Sequence, residues 1–109
     1  MYPPPRRGQR ACFELFERKW TTQIVAALLD GPQRFSALAT GIDGMADKVL
    51  SHRLAELEEA GLVSRRQYPE IPPRVEYALT KTGLALEPVI AEMERWSREH
   101  GVATEVAVR

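Results

Sequence analysis

Residues that carry chemistry are scarce in this chain. It has one cysteine, Cys12, and two histidines, His52 and His100. A single cysteine excludes a disulfide within the chain and suits a reducing cytosol. The cysteine and the histidines lie far apart without metal-ligand spacing, so no metal and no cofactor are expected. No glycine-rich phosphate loop or nucleophile motif occurs. Carboxylate pairs such as Glu58 and Glu59 fall on a polar helical face, where solvation is the default. An enzyme is therefore not expected. No apolar run approaches a membrane span, and the opening Met1 to Arg6 is not a signal peptide, which points to a cytoplasmic protein with no membrane partner. Net charge is lacking too. Lys and Arg number 15 and Asp and Glu number 15, which speaks weakly against nucleic acid unless one sign gathers on one face.

What is present fits one domain with one modest core in 109 residues. Residues 1–10 are rich in proline and arginine and read as an ill-ordered arm, residues 11–100 as the folded domain, and 101–109 as a tail. From Ala11 to about Leu29 the residues Phe13, Phe16, Trp20, Ile24, Ala27 and Leu28 recur at helical spacing, and Asp30, Gly31 and Pro32 stop the pattern. A short helix follows near Ser36 to Thr40, with Phe35 and Leu38 facing inward, then a turn at Gly41, Asp43 and Gly44.

The next helix, about Ala46 to Ala60, places Leu50, Leu54 and Leu57 on one face and Lys48, Ser51, His52 and Ala55 on the opposite one. Glu56, Glu58 and Glu59 are confined to its C-terminal half, where they would repel phosphates. Only the first half suits a groove, which is how helix-turn-helix proteins dock. Gly61 closes the helix.

Leu62 to Tyr68 and Arg74 to Thr80 then read as a hairpin, joined by a connection holding Pro69, Pro72 and Pro73. Val75, Tyr77 and Leu79 alternate with Arg74, Glu76 and Ala78, so one face is expected to be buried. Arg65, Arg66 and Arg74 flank the stiff tip and are expected at phosphates. A last helix is expected from Thr80 to about His100, kinked or tightened near Pro88. Its stripe of Leu86, Val89, Ile90, Met93 and Trp96 exceeds what a small core needs. With Phe13, Phe16 and Trp20 it reads as a homodimer surface, and a two-fold dimer suits paired half-sites on DNA. Charge is also unevenly spread. Arg6, Arg7, Arg10, Arg18 and Lys19 dominate the start, whereas Glu87, Glu92, Glu94 and Glu99 dominate the last helix.

The order is that of a winged helix-turn-helix, mainly α with a small β-hairpin (an α+β fold), dimerising through its N- and C-terminal helices. Between Phe13 and Trp96 the chain resembles the HxlR-type transcription regulators, on KWT at Lys19 to Thr21, GPQRFSAL at Gly31 to Leu38, LSHRLAELEEAGLVSR at Leu50 to Arg65 and YPEIPPRVEYALTKTG at Tyr68 to Gly83. The resemblance implies a bacterial homodimer whose second turn helix reads DNA, whose wings touch the backbone and whose terminal helices pair. Two departures stand out. Members that sense oxidants or electrophiles use a cysteine near the chain's start, a position that falls around Arg7 here. Cys12, beside Phe13 and Phe16, reads instead as a buried thiol, with redox sensing as its alternative. The recognition helix usually opens with serine, whereas Ala46 stands here, followed by Asp47.

The reading is a homodimeric, sequence-specific DNA-binding regulator, a repressor by steric occlusion. Lys48, Ser51 and His52 would face bases or nearby phosphates on double-stranded DNA, with Arg53 at the core edge and suited to a salt bridge or backbone contact. Arg34 and Ser36 would anchor the first turn helix at the backbone. Two alternatives remain open: a winged domain serving as a protein-interaction module, and a regulator answering to a small-molecule effector in a pocket between the terminal helices.

Overall fold

The computed structural model describes residues 7–101, without the side chains of residues 7–10 and Cys12. The elements run α1 (Arg7–Glu17), α2 (Thr21–Leu28), β1 (Gln33–Arg34), α3 (Phe35–Gly41), α4 (Asp47–Glu59), β2 (Val63–Tyr68), β3 (Arg74–Leu79), α5 (Lys81–Leu84) and α6 (Glu87–Glu99). The remainder of the expected arm, the expected tail and the Cys12 side chain lie outside the described residues.

The single helix expected over 11–29 is two helices, and α1 begins at Arg7, inside the segment read as an arm. The break has no proline or glycine to announce it. Trp20 adopts φ 81, a left-handed conformation that costs a residue with a Cβ roughly 1–3 kcal/mol. The surroundings hold it there. Lys19 Nζ sits 4.9 Å from the Trp20 ring centroid, and a Cβ added to Gly44 would lie 3.5 Å from the indole. Gly31, at φ 127, then turns the chain out of α2, where Leu28 is buried.

Helices α3 and α4 flank a turn plugged by Ile42 and Met45, which are nearly buried, and Gly44 supplies the turn's positive φ of 83. Leu38 from α3 and Leu50, Leu54 and Leu57 from α4 are at most 1% exposed, and they meet Ile24, Val25 and Leu28 of α2 in one core. Helix α4 ends in paired bonds at a left-handed glycine: Leu62 N donates to Leu57 O and Gly61 N to Glu58 O. The Thr80 hydroxyl donates to Gly61 O at 2.6 Å and accepts from Gly83 N at 3.2 Å, tying the end of α4 to the start of α5.

The sheet has three antiparallel strands in the order β1–β3–β2. The short strand β1 is invisible in the sequence because two residues carry no periodicity. It pairs Gln33 with Tyr77 and Arg34 with Glu76. As the central strand, β3 is half-buried from Arg74 to Ala78 and nearly buried at Leu79, rather than buried on one face alone.

The long last helix is likewise two pieces. Thr80 caps α5 as expected, but Ala85 and Leu86 interrupt the run, and Pro88 sits in the first turn of α6, where a missing N–H is harmless. Ile90 is 4% exposed and belongs to the core, so its expected place on a partner-facing stripe is corrected. Leu86 and Trp20 also pack against the core, and Phe16 is half-buried. Of the residues expected on the partner-facing surface, Phe13, Val89, Met93 and Trp96 point outward, all between 45% and 55% exposed; Leu84, and Ile71 at the hairpin tip, are exposed as well. The architecture is a mainly helical winged helix-turn-helix with a small antiparallel sheet.

Candidate nucleic-acid interface

Helix α4 turns two unlike faces outward and inward. With Leu50, Leu54 and Leu57 locked in the core, Lys48, Ser51, His52 and Ala55 face away from it and are exposed. Glu59 shares that outer face but lies about 16 Å along the axis from Lys48, at 1.5 Å per residue. The N-terminal half thus offers an ammonium, a hydroxyl and an imidazole, and the glutamates stay at the other end. Ala46 makes no side-chain cap, as its residue type implies, and Asp47 stands in the first turn. At the start of α3, Arg34 occupies the N-cap position with an extended backbone, and both Arg34 and Ser36 are exposed.

The wing does not present three equal arginines. Arg74 is engaged: its Nη2 is 3.0 Å from Glu70 Oε1, its Nη1 is 3.2 Å from Glu76 Oε2, and its guanidinium lies 4.0 Å from the Tyr68 ring centroid. Its buried Nε has no hydrogen-bond partner. Two carboxylates and the Tyr68 ring hold Arg74 in the hairpin, which sets it apart from the exposed Arg65 and Arg66. Tyr68, which sequence patterning does not single out, is the plate between Arg74 and Arg66, the latter at 4.9 Å. The signal that points to it is the pairing of Tyr68 with Arg74 across the ladder.

Arg65 and Arg66 are exposed and, as strand neighbours, point to opposite faces. Arg66, Glu76 and Arg34 form one row across the three strands, so the start of α3 and the wing share a face. Arg53 is engaged as well. Its Nε donates to the Lys19 carbonyl at 2.8 Å, and its Nη1 meets Glu56 Oε1 at 3.1 Å. The salt bridge considered for Arg53 is present within the protein, and its Nε and Nη1 are both engaged.

Among the described residues no group of acidic, histidine and cysteine side chains could hold a metal. No described helix is long and apolar enough to cross a membrane. An open groove of about 680 Å³ lies between α1 and the C-terminal half of α4, lined by Leu15, Phe16, Leu57, Ala60 and Leu86 among others. A second open groove, of about 470 Å³, lies between α2 and α6, parts of the two expected terminal helices, and is lined by Gln23, Ala26, Ile90 and Met93 among others.

Comparison with known proteins agrees with this geometry. A profile of HxlR-like helix-turn-helix proteins matches residues 15–105. The uncharacterized HTH-type transcriptional regulator YvaP of Bacillus subtilis (strain 168) is 42% identical over 86 residues, 79% of this chain and 80% of that one. The HTH-type transcriptional regulator YodB of the same strain is 39% identical over 87 residues, 80% of this chain and 78% of that one. Reduced YodB, as a solved structure, is similar with a TM-score of 0.78 at 36% identity over 86% of this chain and 92% of that one. Its quinone-bound form gives 0.76 at 33% identity over 87% and 99%. The redox regulator HypR in its reduced form gives 0.82 at 30% identity over 90% and 97%.

Proposed function

The chain belongs to the HxlR-like helix-turn-helix family of transcriptional regulators, and on that premise we propose that it is a homodimeric, sequence-specific DNA-binding repressor acting in the cytoplasm by occluding its operator. Its family is one of regulators and not of enzymes. One observation carries the reading. The polar face that α4 turns outward has Lys48, Ser51 and His52 at its N-terminal half, while three buried leucines fix the opposite face. Those three side chains enter the major groove, and Arg34 and Ser36 hold the flanking backbone. Arg66 and, from the other face of the hairpin, Arg65 supply the wing's phosphate contacts, with Arg74 and Tyr68 stiffening the hairpin on the Arg66 side.

Support for the dimer is the apolar set Phe13, Val89, Met93 and Trp96, large side chains left in water at about half exposure. The test is binding of the purified protein to duplexes covering its own promoter and to a random pool, measured over a range of salt. A selected sequence, with log affinity falling linearly in log salt, is expected. A folded protein that selects no duplex would hand the reading to a protein-interaction module.

The quinone-bound form of YodB makes an electrophile or oxidant the effector class to test against this chain, in which Cys12 is the one thiol such a reagent could modify. Cys12, the one cysteine, is read as a bystander, because a disulfide would have to join two chains across the dimer axis. Cys12→Ser is expected to leave operator binding and its response to diamide unchanged, and loss of that response in the variant alone would overturn this.

A further inference from the structure

Helix α1 touches the rest of the molecule lightly. Of its described side chains Leu15 packs against the core, whereas Phe13 is exposed, and the open groove separates α1 from Leu57 and Ala60 of α4. What crosses from this end of the molecule to α4 is polar. Arg18 Nη1 lies 2.8 Å from Glu56 Oε2. Glu56 Oε1 lies 3.1 Å from Arg53 Nη1, and Arg53 Nε donates to the carbonyl of Lys19 at 2.8 Å. One carboxylate is shared by guanidiniums from the α1–α2 junction and from α4, and one guanidinium is shared by that carboxylate and a main-chain oxygen of the junction. The next residue, Trp20, holds the left-handed backbone and reaches the turn at Gly44. The junction of α1 and α2 therefore grips both the turn before α4 and α4 itself.

We propose that Arg53 is a positioning residue for DNA reading, and that the chain Arg18–Glu56–Arg53–Lys19 couples the placement of α1 to the rotation of α4. The proposal rests on α4 being the reading helix. Leu50, Leu54 and Leu57 set which face of α4 is buried, and the bonds of Arg53 add a directional restraint on the small range of angle that this packing leaves. A planar guanidinium bonded through two of its nitrogens is directional and fixes that angle. Ser51 and His52 directly precede Arg53 in the chain, so an angle set at Arg53 is an angle set for the groove-facing atoms. Lysine lacks the fork and does not replace it. Any event that shifts α1 pulls on Glu56 through Arg18 and is felt at the reading face.

The experiment uses the full chain with Arg18→Ala, Arg53→Ala, Arg53→Lys and the Arg18→Ala, Arg53→Ala double variant. Without DNA, the amide resonances of Lys48, Ser51 and His52 are expected to move in Arg18→Ala, although Arg18 is on the other side of the clamp. With the selected duplex, Arg53→Ala and Arg53→Lys are each expected to lose affinity about tenfold while the salt slope stays at the parent value. Arg18→Ala is expected to lose roughly twofold to threefold, and the double variant to be no weaker than Arg53→Ala, since both cut one chain. Amides of the reading face that stay put in Arg18→Ala would overturn the coupling. A salt slope lower by about one in Arg53→Ala would make Arg53 a phosphate contact instead. Parent affinity in Arg53→Lys would overturn the need for the fork. If Arg53→Ala fails to fold, Arg53→Lys and Arg18→Ala decide. If the parent binds no duplex, the DNA reading falls while the amide comparison still judges the coupling.

Discussion

Helices α4 and α6 have the same length, 13 residues each, and opposite surfaces. Helix α4 spends its leucines inward, with Leu50, Leu54 and Leu57 at most 1% exposed, and its outer face is largely polar, with Lys48, Ser51 and His52 in the N-terminal half. Helix α6 buries only Ile90 and leaves Val89, Met93 and Trp96 in water. Each exposed face suits a different kind of partner. A polar face with a cation at its N-terminal half complements phosphates and base edges, whereas half-exposed Trp and Met side chains gain by meeting another apolar surface. The charges on α6 do not alter this, because Arg95 is satisfied along its own helix by Glu92 and Glu99.

The largest expected effect tests whether α6 has a core side at all. Ile90→Asp places a carboxylate at a 4% exposed site and is expected to cost more than about 3 kcal/mol, leaving chain that shows no cooperative melt. A folded variant would erase the distinction between Ile90 and its neighbours. Next, Leu54→Ala in α4 is expected to destabilise by about 3 kcal/mol in urea titration, as truncation at a buried leucine does. Its counterpart Met93→Ala, tested at a concentration where the chain is monomeric, is expected to change stability by less than about 0.5 kcal/mol. Equal costs would mean that the outer stripe of α6 packs inward as firmly as the leucines of α4.

On the outward side of α6, Val89→Asp with Met93→Asp is expected to give folded monomers. Self-association should weaken at least about a hundredfold by light scattering, because two carboxylates would be desolvated in the interface. A parent protein that is already monomeric at micromolar concentration would remove the case for a second copy. The matching change on α4, Lys48→Ala, is expected to reduce operator affinity roughly fivefold and lower the salt slope by about one, with self-association untouched. The smallest effect belongs to Arg95→Ala, which removes ion pairs more than half exposed and should leave the melting temperature where it was.

Several parts of this molecule are legible without any fold in view. The three leucines of α4 and the glycine after it follow from a 3.6-residue period and a left-handed cap, both local properties. The hairpin and the Thr80 cap are local too. The break at Trp20 is not legible, because its left-handed backbone is held by a lysine beside it and a turn more than twenty residues away. Strand β1 is hidden for the same kind of reason, since two residues become a strand only when β3 lies beside them.

The sequence by itself determined the winged helix-turn-helix order, the inward face of α4 and the family, because periodicity, turn chemistry and motif order are written along the chain. Tertiary structure alone decided which arginines are free. Arg34, Arg65 and Arg66 are exposed, whereas Arg53 is held by Lys19 and Glu56, and Arg74 by Glu70, Glu76 and Tyr68. It likewise divided the stripe on α6, sending Ile90 to the core and Val89, Met93 and Trp96 outward. The reason is one of distance. A helical period fixes which residues share a face, but whether a guanidinium or an apolar side chain finds a partner depends on groups far away in sequence, and only folding brings those within reach.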